Sequence, residues 1–181
     1  MRDSVMLSDY PLPRTRITIP RRRDDLVTRQ RLLDLLSELI DNKLVLITAP
    51  AGYGKTSLLV DFASQTKIPI CWYTINALDY EPQRFIANLV SAIMVQFPRF
   101  GRRTLSALQS TKGTLDLDYI ANVIVNDLYD HVHEHFALVL DDYYLVNDSA
   151  QIRNFISRFV QDVDENCHLV ITSRMLLALP V

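Results

Sequence analysis

Residues 49–57 read Ala-Pro-Ala-Gly-Tyr-Gly-Lys-Thr-Ser. The chain has only 4 glycines in 181 residues, and two of them, Gly52 and Gly54, stand in this loop directly before a lysine and two hydroxyls. Ahead of it lies Leu44-Val45-Leu46-Ile47, a short all-apolar run of the kind that forms a strand buried on both faces. Behind it, Leu58, Leu59 and Phe62 predict a helix from Lys55 to about Ser64 with these three on its inner face. A buried strand, a glycine turn and a helix, in that order, are the setting of a phosphate-binding loop. The pattern is G-x-x-x-x-G-K-[ST], with Ala49 in place of the first glycine. Gly52 and Gly54 can take backbone angles closed to other residues. The backbone N–H groups of the Ala51-Gly52-Tyr53-Gly54 stretch then turn inward as an anion nest at a helix N-terminus. Lys55 is expected to reach the β- and γ-phosphates of a nucleotide, and Thr56 to place its hydroxyl on Mg2+. Ser57 completes the phosphate-binding stretch, one residue too late for the metal, with its hydroxyl on the helix surface.

Working outward, strand-like and helix-like segments alternate. Helical spacing marks residues 29–40, a helix opening at Pro82 and carrying Ile86, Leu89, Val90 and Ile93, a weaker helix over 104–109, and a helix through Leu117, Ile120, Ala121, Ile124 and Leu128. Ile152, Phe155, Ile156, Phe159, Val160 and Val163 form the most regular amphipathic pattern of all. Residues 68–75, 136–140 and 168–172 read as further strands, rich in aliphatic and β-branched residues. This alternation predicts an α/β fold, a mainly parallel sheet in three layers with helices on both faces. Right-handed crossovers would bring all strand C-terminal ends to one edge, where ligands of such folds bind. Residues 1–25 are set apart as an irregular entry segment rich in arginine and proline, and 26–181 as the folded domain. Arg14, Arg16, Arg21, Arg22 and Arg23 read better as a strap or a solvated face than as a nucleic-acid arm, because Asp24 and Asp25 dilute their charge and no aromatic residues are interleaved.

Composition sets limits. Hydrophobic residues make up 49% and charged residues 22%, which predicts a globular chain, and a net charge of -2 gives no global attraction to nucleic acid. No apolar run approaches the about 20 residues needed to span a bilayer, and no signal peptide is apparent, so a cytoplasmic protein without membrane contact is expected. Cys71 and Cys167 are far apart in strand-like segments and are expected as buried, reduced thiols. His131, His133 and His135 alternate before the third strand; they read as solvated histidines near a helix end rather than as a metal site.

The strand Phe136-Ala137-Leu138-Val139-Leu140 ends in Asp141-Asp142. At the ligand-binding edge of a parallel sheet, Asp141 is expected to hold Mg2+ and Asp142 to polarise an attacking water. The doubled acid favours ATP over GTP chemistry; an Asn-Lys-x-Asp guanine motif is missing downstream of the loop. Arg174, after the last strand, can reach a γ-phosphate and report its presence. A small-molecule kinase would need an arginine-bearing lid, for which Arg102-Arg103 is the only candidate pair, and an ABC-type ATPase would need a Leu-Ser-Gly-Gly-Gln signature that the chain lacks.

Several of these stretches together resemble one family. The entry Ile19-Pro20 to Leu33, the loop Thr48 to Leu59, the strand Cys71 to Asn76 with Asp79, Pro82, Arg84 and Phe85 after it, the strand Leu138 to Val146, and His168 to Arg174 occur in order at suitable spacing. This is similar to the nucleotide-binding domain of MalT-like, LuxR-type transcriptional regulators, members of the STAND class of signal-transduction P-loop ATPases, across nearly all of residues 15–180. The resemblance implies that Leu26, Val27 and Arg29 lie against an adenine, that Lys55, Thr56, Asp141 and Asp142 keep the roles above, and that Arg174 is a sensor arginine. It implies an ADP-bound closed state and an ATP-bound state that self-associates, with slow hydrolysis resetting the switch; a nucleotide-binding interaction module without hydrolysis is the alternative. The chain departs from the family at Gln30, where a proline is frequent, and at Asn76-Ala77, where acids are common. The family's further strand and its C-terminal sensor and helix-turn-helix regions have no counterpart up to Val181, so DNA contact is expected only through a C-terminal region not in this chain.

Overall fold

The computed structural model describes residues 12–110, 115–177 and 179. Four strands, β1 (Leu44–Thr48), β2 (Ile70–Thr74), β3 (Phe136–Asp141) and β4 (Cys167–Ser173), form one sheet in the order β1-β4-β3-β2, and every pairing is parallel. Among the described residues six helices surround them: α1 (Gln30–Leu39), α2 (Lys55–Gln65), α3 (Pro82–Gln96), α4 (Arg102–Ser110), α5 (Leu117–His131) and α6 (Ala150–Asp162).

The strand side chains sort by parity, as the pleat requires. Along β3, Phe136, Leu138 and Leu140 join a core with α3, α5 and α6, while Ala137 and Val139 join a second core with α1 and α2. The same alternation sends Cys71 and Tyr73 to the first core and Trp72 to the second. The three-layer α/β architecture follows directly. Helix starts are fixed locally: Pro82 occupies the first position of α3 behind Glu81, whose carboxylate accepts from Arg84 N–H at 3.0 Å, and Asp116 accepts from Tyr119 N–H at 3.0 Å at the start of α5.

One expectation fails. β1 is not buried on both faces: among the described residues it is an edge strand, paired only with β4, and Leu46 is 45% exposed. Val45 and Ile47 face α1 and α2, but Leu46 points to the opposite face, where the helices cover β2, β3 and β4 and stop short of the edge. The described part of the entry segment touches the opposite edge through Arg16 and α2 through Arg22, which pairs with Asp61 at 2.8 Å. Its short 3-10 turn, Arg14–Arg16, reaches the end of β2, where the Arg16 guanidinium donates to Thr74 O through Nε and Nη2 at 3.0 and 2.9 Å. Cys71 and Cys167 are free and buried, and burial pushes both thiols well above their ordinary range. Among the described residues, no helix is long and apolar enough to cross a membrane.

Candidate functional site

The C-terminal edge of the sheet gathers most of the residues singled out in the sequence. The loop between β1 and α2 turns on two left-handed glycines, Gly52 at φ 82° and Gly54 at φ 72°. Gly54 is the N-cap of α2, so the helix opens at Lys55 without a side-chain cap and its first N–H groups are left for another acceptor. A Cβ on Gly54 would come within 3.2 Å of the Arg29 guanidinium. That guanidinium donates to Tyr53 O at 3.0 Å and Gly54 O at 2.6 Å, so Arg29, just ahead of α1, binds the loop's outer carbonyls. Ala51 and Tyr53 are exposed on the loop, and Ser57 is half-buried on α2. Val27 is 79% exposed.

Lys55 is buried, and its ammonium donates to Ala49 O at 2.7 Å and Pro50 O at 3.2 Å, closing the loop on itself. The next residue reaches across the sheet edge: the Thr56 hydroxyl donates to the Asp141 carboxylate, 2.9 Å from Oδ2 and 3.1 Å from Oδ1. Thr172, on the neighbouring strand β4, donates to Asp141 Oδ1 at 2.7 Å and accepts from Asp142 N–H at 3.0 Å. One buried hydroxyl therefore holds both acids. Burial raises the Asp141 carboxyl above its ordinary range; the Thr172 and Thr56 hydroxyls oppose the shift, Asp142 adds to it, and Lys55 opposes it.

Asp142 sits at φ 62°, the one left-handed residue other than glycine among those described, which turns it out of the strand direction and over the edge. Arg174 Nε stands 3.8 Å from Asp142 Oδ1, with its guanidinium 4.5 Å from the centre of the Tyr144 ring. The edge thus brings together Arg29, Lys55, Thr56, Asp141, Asp142 and Arg174. Thr172 and Tyr144 were not anticipated. Thr172 had a signal, because a hydroxyl directly after the apolar run Leu169-Val170-Ile171, in a strand that reads as buried, needs a partner. The histidines lie elsewhere: His131 Nδ1 is 3.0 Å from Asp127 Oδ1, His133 is exposed, and His135 stacks on His168. Among the described residues no three His, Cys, Asp or Glu side chains are grouped to hold a metal.

No protein-family model matches the chain. It is 31% identical over 160 residues to the HTH-type transcriptional regulator MalT of Vibrio cholerae, covering 88% of this chain and 17% of that protein. With MalT of Serratia proteamaculans it shares 31% identity over 163 residues, 90% of this chain and 18% of the relative. The chain thus spans less than a fifth of the length of these curated relatives. Among solved structures, it resembles a Walker-type ATPase of Pyrococcus abyssi with a TM-score of 0.54 at 20% identity, covering 84% of this chain and 46% of that one. It also resembles a STAND protein with a tetratricopeptide repeat sensor from Pyrococcus horikoshii, with a TM-score of 0.52 at 14% identity over 90% of this chain and 23% of that one. At such identities the structures speak for the fold alone. Over one portion of their length, the chain is a homologue of the MalT-type transcriptional regulators, and its fold is that of a P-loop ATPase domain.

Proposed function

We propose that this chain is the nucleotide switch domain of a MalT-type regulator, holding Mg2+ with ATP or ADP on the β1–α2 loop and turning ATP over slowly. The observation that carries the reading is the Thr56–Asp141 pair: a hydroxyl at the start of α2 and a carboxylate at the end of β3, 85 residues apart, meet beside a glycine loop and a buried lysine. The donor set fits the group. Mg2+ takes oxygen ligands and needs few from protein when phosphates supply the rest, and an uncapped helix start with an ammonium beside it suits phosphate oxygens.

In this reading Lys55 exchanges its loop carbonyls for the β- and γ-phosphates, and Thr56 and Asp141 hold the metal. Bound Mg2+ would neutralise phosphate charge and so ease departure of the γ-phosphoryl group. Thr172 fixes the Asp141 carboxylate and the backbone of Asp142, which aims the second acid. Asp142 orients and polarises the attacking water. Arg174, released from Asp142 and Tyr144, answers the γ-phosphate, which makes nucleotide state a conformational signal. Self-association in the ATP state, and DNA contact through a C-terminal region outside this chain, belong to the same proposal.

A second reading rests on the proximity of Arg174 to Asp142. An arginine that keeps the acid engaged would leave a nucleotide-binding interaction module without turnover. Asp142→Asn separates the two. The switch reading expects phosphate release to fall by about a hundredfold, within the range for a lost general base, with nucleotide affinity nearly unchanged. Equal release by both proteins would remove hydrolysis from the account.

A further inference from the structure

Arg102 and Arg103 have no role at the nucleotide edge. They open α4 at the far end of the molecule. α5 ends at His131 shortly before β3 begins at Phe136, and Gln96 at the close of α3 donates to Ile70 O at the start of β2. The turn between α3 and α4 therefore lies at the N-terminal edge of the sheet, opposite the β1–α2 loop. There an open surface notch of about 400 Å³ is lined by Arg99, Arg102, Arg103, Asp127 and His131.

The notch has a fixed frame. Gly101 sits at φ 91°, and a Cβ there would fall 2.7 Å from Val90 and 2.8 Å from Met94, so a side chain at this position would be strained. Asp127, 1% exposed, accepts from Gly101 N–H at 2.7 Å through Oδ2 and lies 3.0 Å from His131 Nδ1 through Oδ1, so both carboxylate oxygens have partners within the frame. Arg103 pairs with Asp130 at 2.7 Å on the exposed rim. Arg99 and Arg102 have no ion-pair partner among the described residues. In the same helical turn the Thr104 hydroxyl is fully buried without a hydrogen-bond partner. In a chain of net charge -2, Arg99 and Arg102 thus line one notch without an ion-pair partner among the described residues.

We propose that this notch is a second anion site, built for a phosphate group free in solution or carried on a small molecule. Guanidinium groups match tetrahedral oxyanions by paired N–H donors, and neither Arg99 nor Arg102 must first leave a carboxylate. The site is separate from the nucleotide loop and stands or falls independently of it.

The test is an amide-resolved NMR titration at constant ionic strength, with inorganic phosphate in one arm and phosphoethanolamine in the other. Saturable shifts at residues 101–104 and His131 are expected. Arg99→Gln with Arg102→Gln should weaken that binding by about tenfold or more, while Lys55→Ala leaves it in place. Both arginines are exposed, and the same spectra report that the variant stays folded. Tighter binding of phosphoethanolamine assigns the site to an organic phosphate, and equal binding assigns it to the phosphate group itself. Shifts that do not saturate, that chloride alone reproduces, or that survive in the double variant would overturn the proposal.

Discussion

Asp141 is held where its own charge is disfavoured. It is 2% exposed, and its carboxyl is raised above the ordinary carboxylate value of 3.8 chiefly by burial, against the donors Thr172 and Thr56. The sign is fixed by linkage. With the folded value above the unfolded one, the folded state binds more protons in the window from 3.8 upward to the raised value, so stability falls as pH rises through it and stays lower at neutral pH. Asp141→Asn should therefore raise the melting temperature of the nucleotide-free protein at neutral pH and flatten its pH dependence in that window. The same change should weaken Mg2+-dependent nucleotide binding by at least about 10–100-fold. Calorimetry with and without Mg·ADP checks both halves; a variant less stable than wild type would mean that the carboxylate is satisfied in place. The left-handed Asp142 belongs to the same design, since backbone strain of this kind persists where neighbouring bonds, here from Thr172, determine it.

Among the elements, the entry strap depends on one buried acid. Asp79 is fully buried and accepts from the side chains of Arg16, Arg84 and Asn88 and from Asn76 N–H. A carboxylate buried to that degree costs several kcal/mol unless it is paired and fully hydrogen-bonded. Arg16→Ala should cost about 3 kcal/mol in urea unfolding, because it leaves Arg84 as the acid's ion-pair partner and strips Thr74 O of two donors. Arg14→Ala, on the exposed side of the same turn, should stay within about 0.5 kcal/mol of wild type; equal effects would mean that the strap is held by chain packing alone. These elements also show what was legible beforehand. Helices and strands announced themselves through periodicity, and Pro82 and Gly54 marked their boundaries. The strand order did not, because Leu44-Val45-Leu46-Ile47 looks alike at an edge or in the centre, and only pairing with β4 on one side decides it. The loop, Asp141 and Asp142 were readable because chemistry restricts their residue types. Arg16 was one of five arginines, and Asp79 entered only as one residue of the family resemblance, since pairing 63 residues apart leaves no local pattern.

For the whole molecule, the sheet divides two chemistries. Its C-terminal edge carries the candidate nucleotide site; its N-terminal edge carries the arginine notch and a histidine pair. His168 is buried and stacked on His135, with Nε2 3.0 Å from His135 Nδ1. Burial, and then His135, lower its value below 6.5, opposed by Asn42 O and Asp41. The unfolded chain therefore takes up the proton first, so this stability is fully present above 6.5 and is lost as pH falls through the folded value. Unfolding followed from about pH 7 to about pH 5 should show stability declining in wild type and a shallower slope in His168→Asn; parallel slopes would assign the decline to other groups. The central claim, that the β1–α2 loop holds a nucleotide, is tested most directly by the nucleotide content of freshly purified protein, wild type beside Lys55→Ala. The account predicts ADP or ATP bound to the wild type and lost from the variant. A wild-type protein that carries no nucleotide and also fails to bind added Mg·ATP would contradict it.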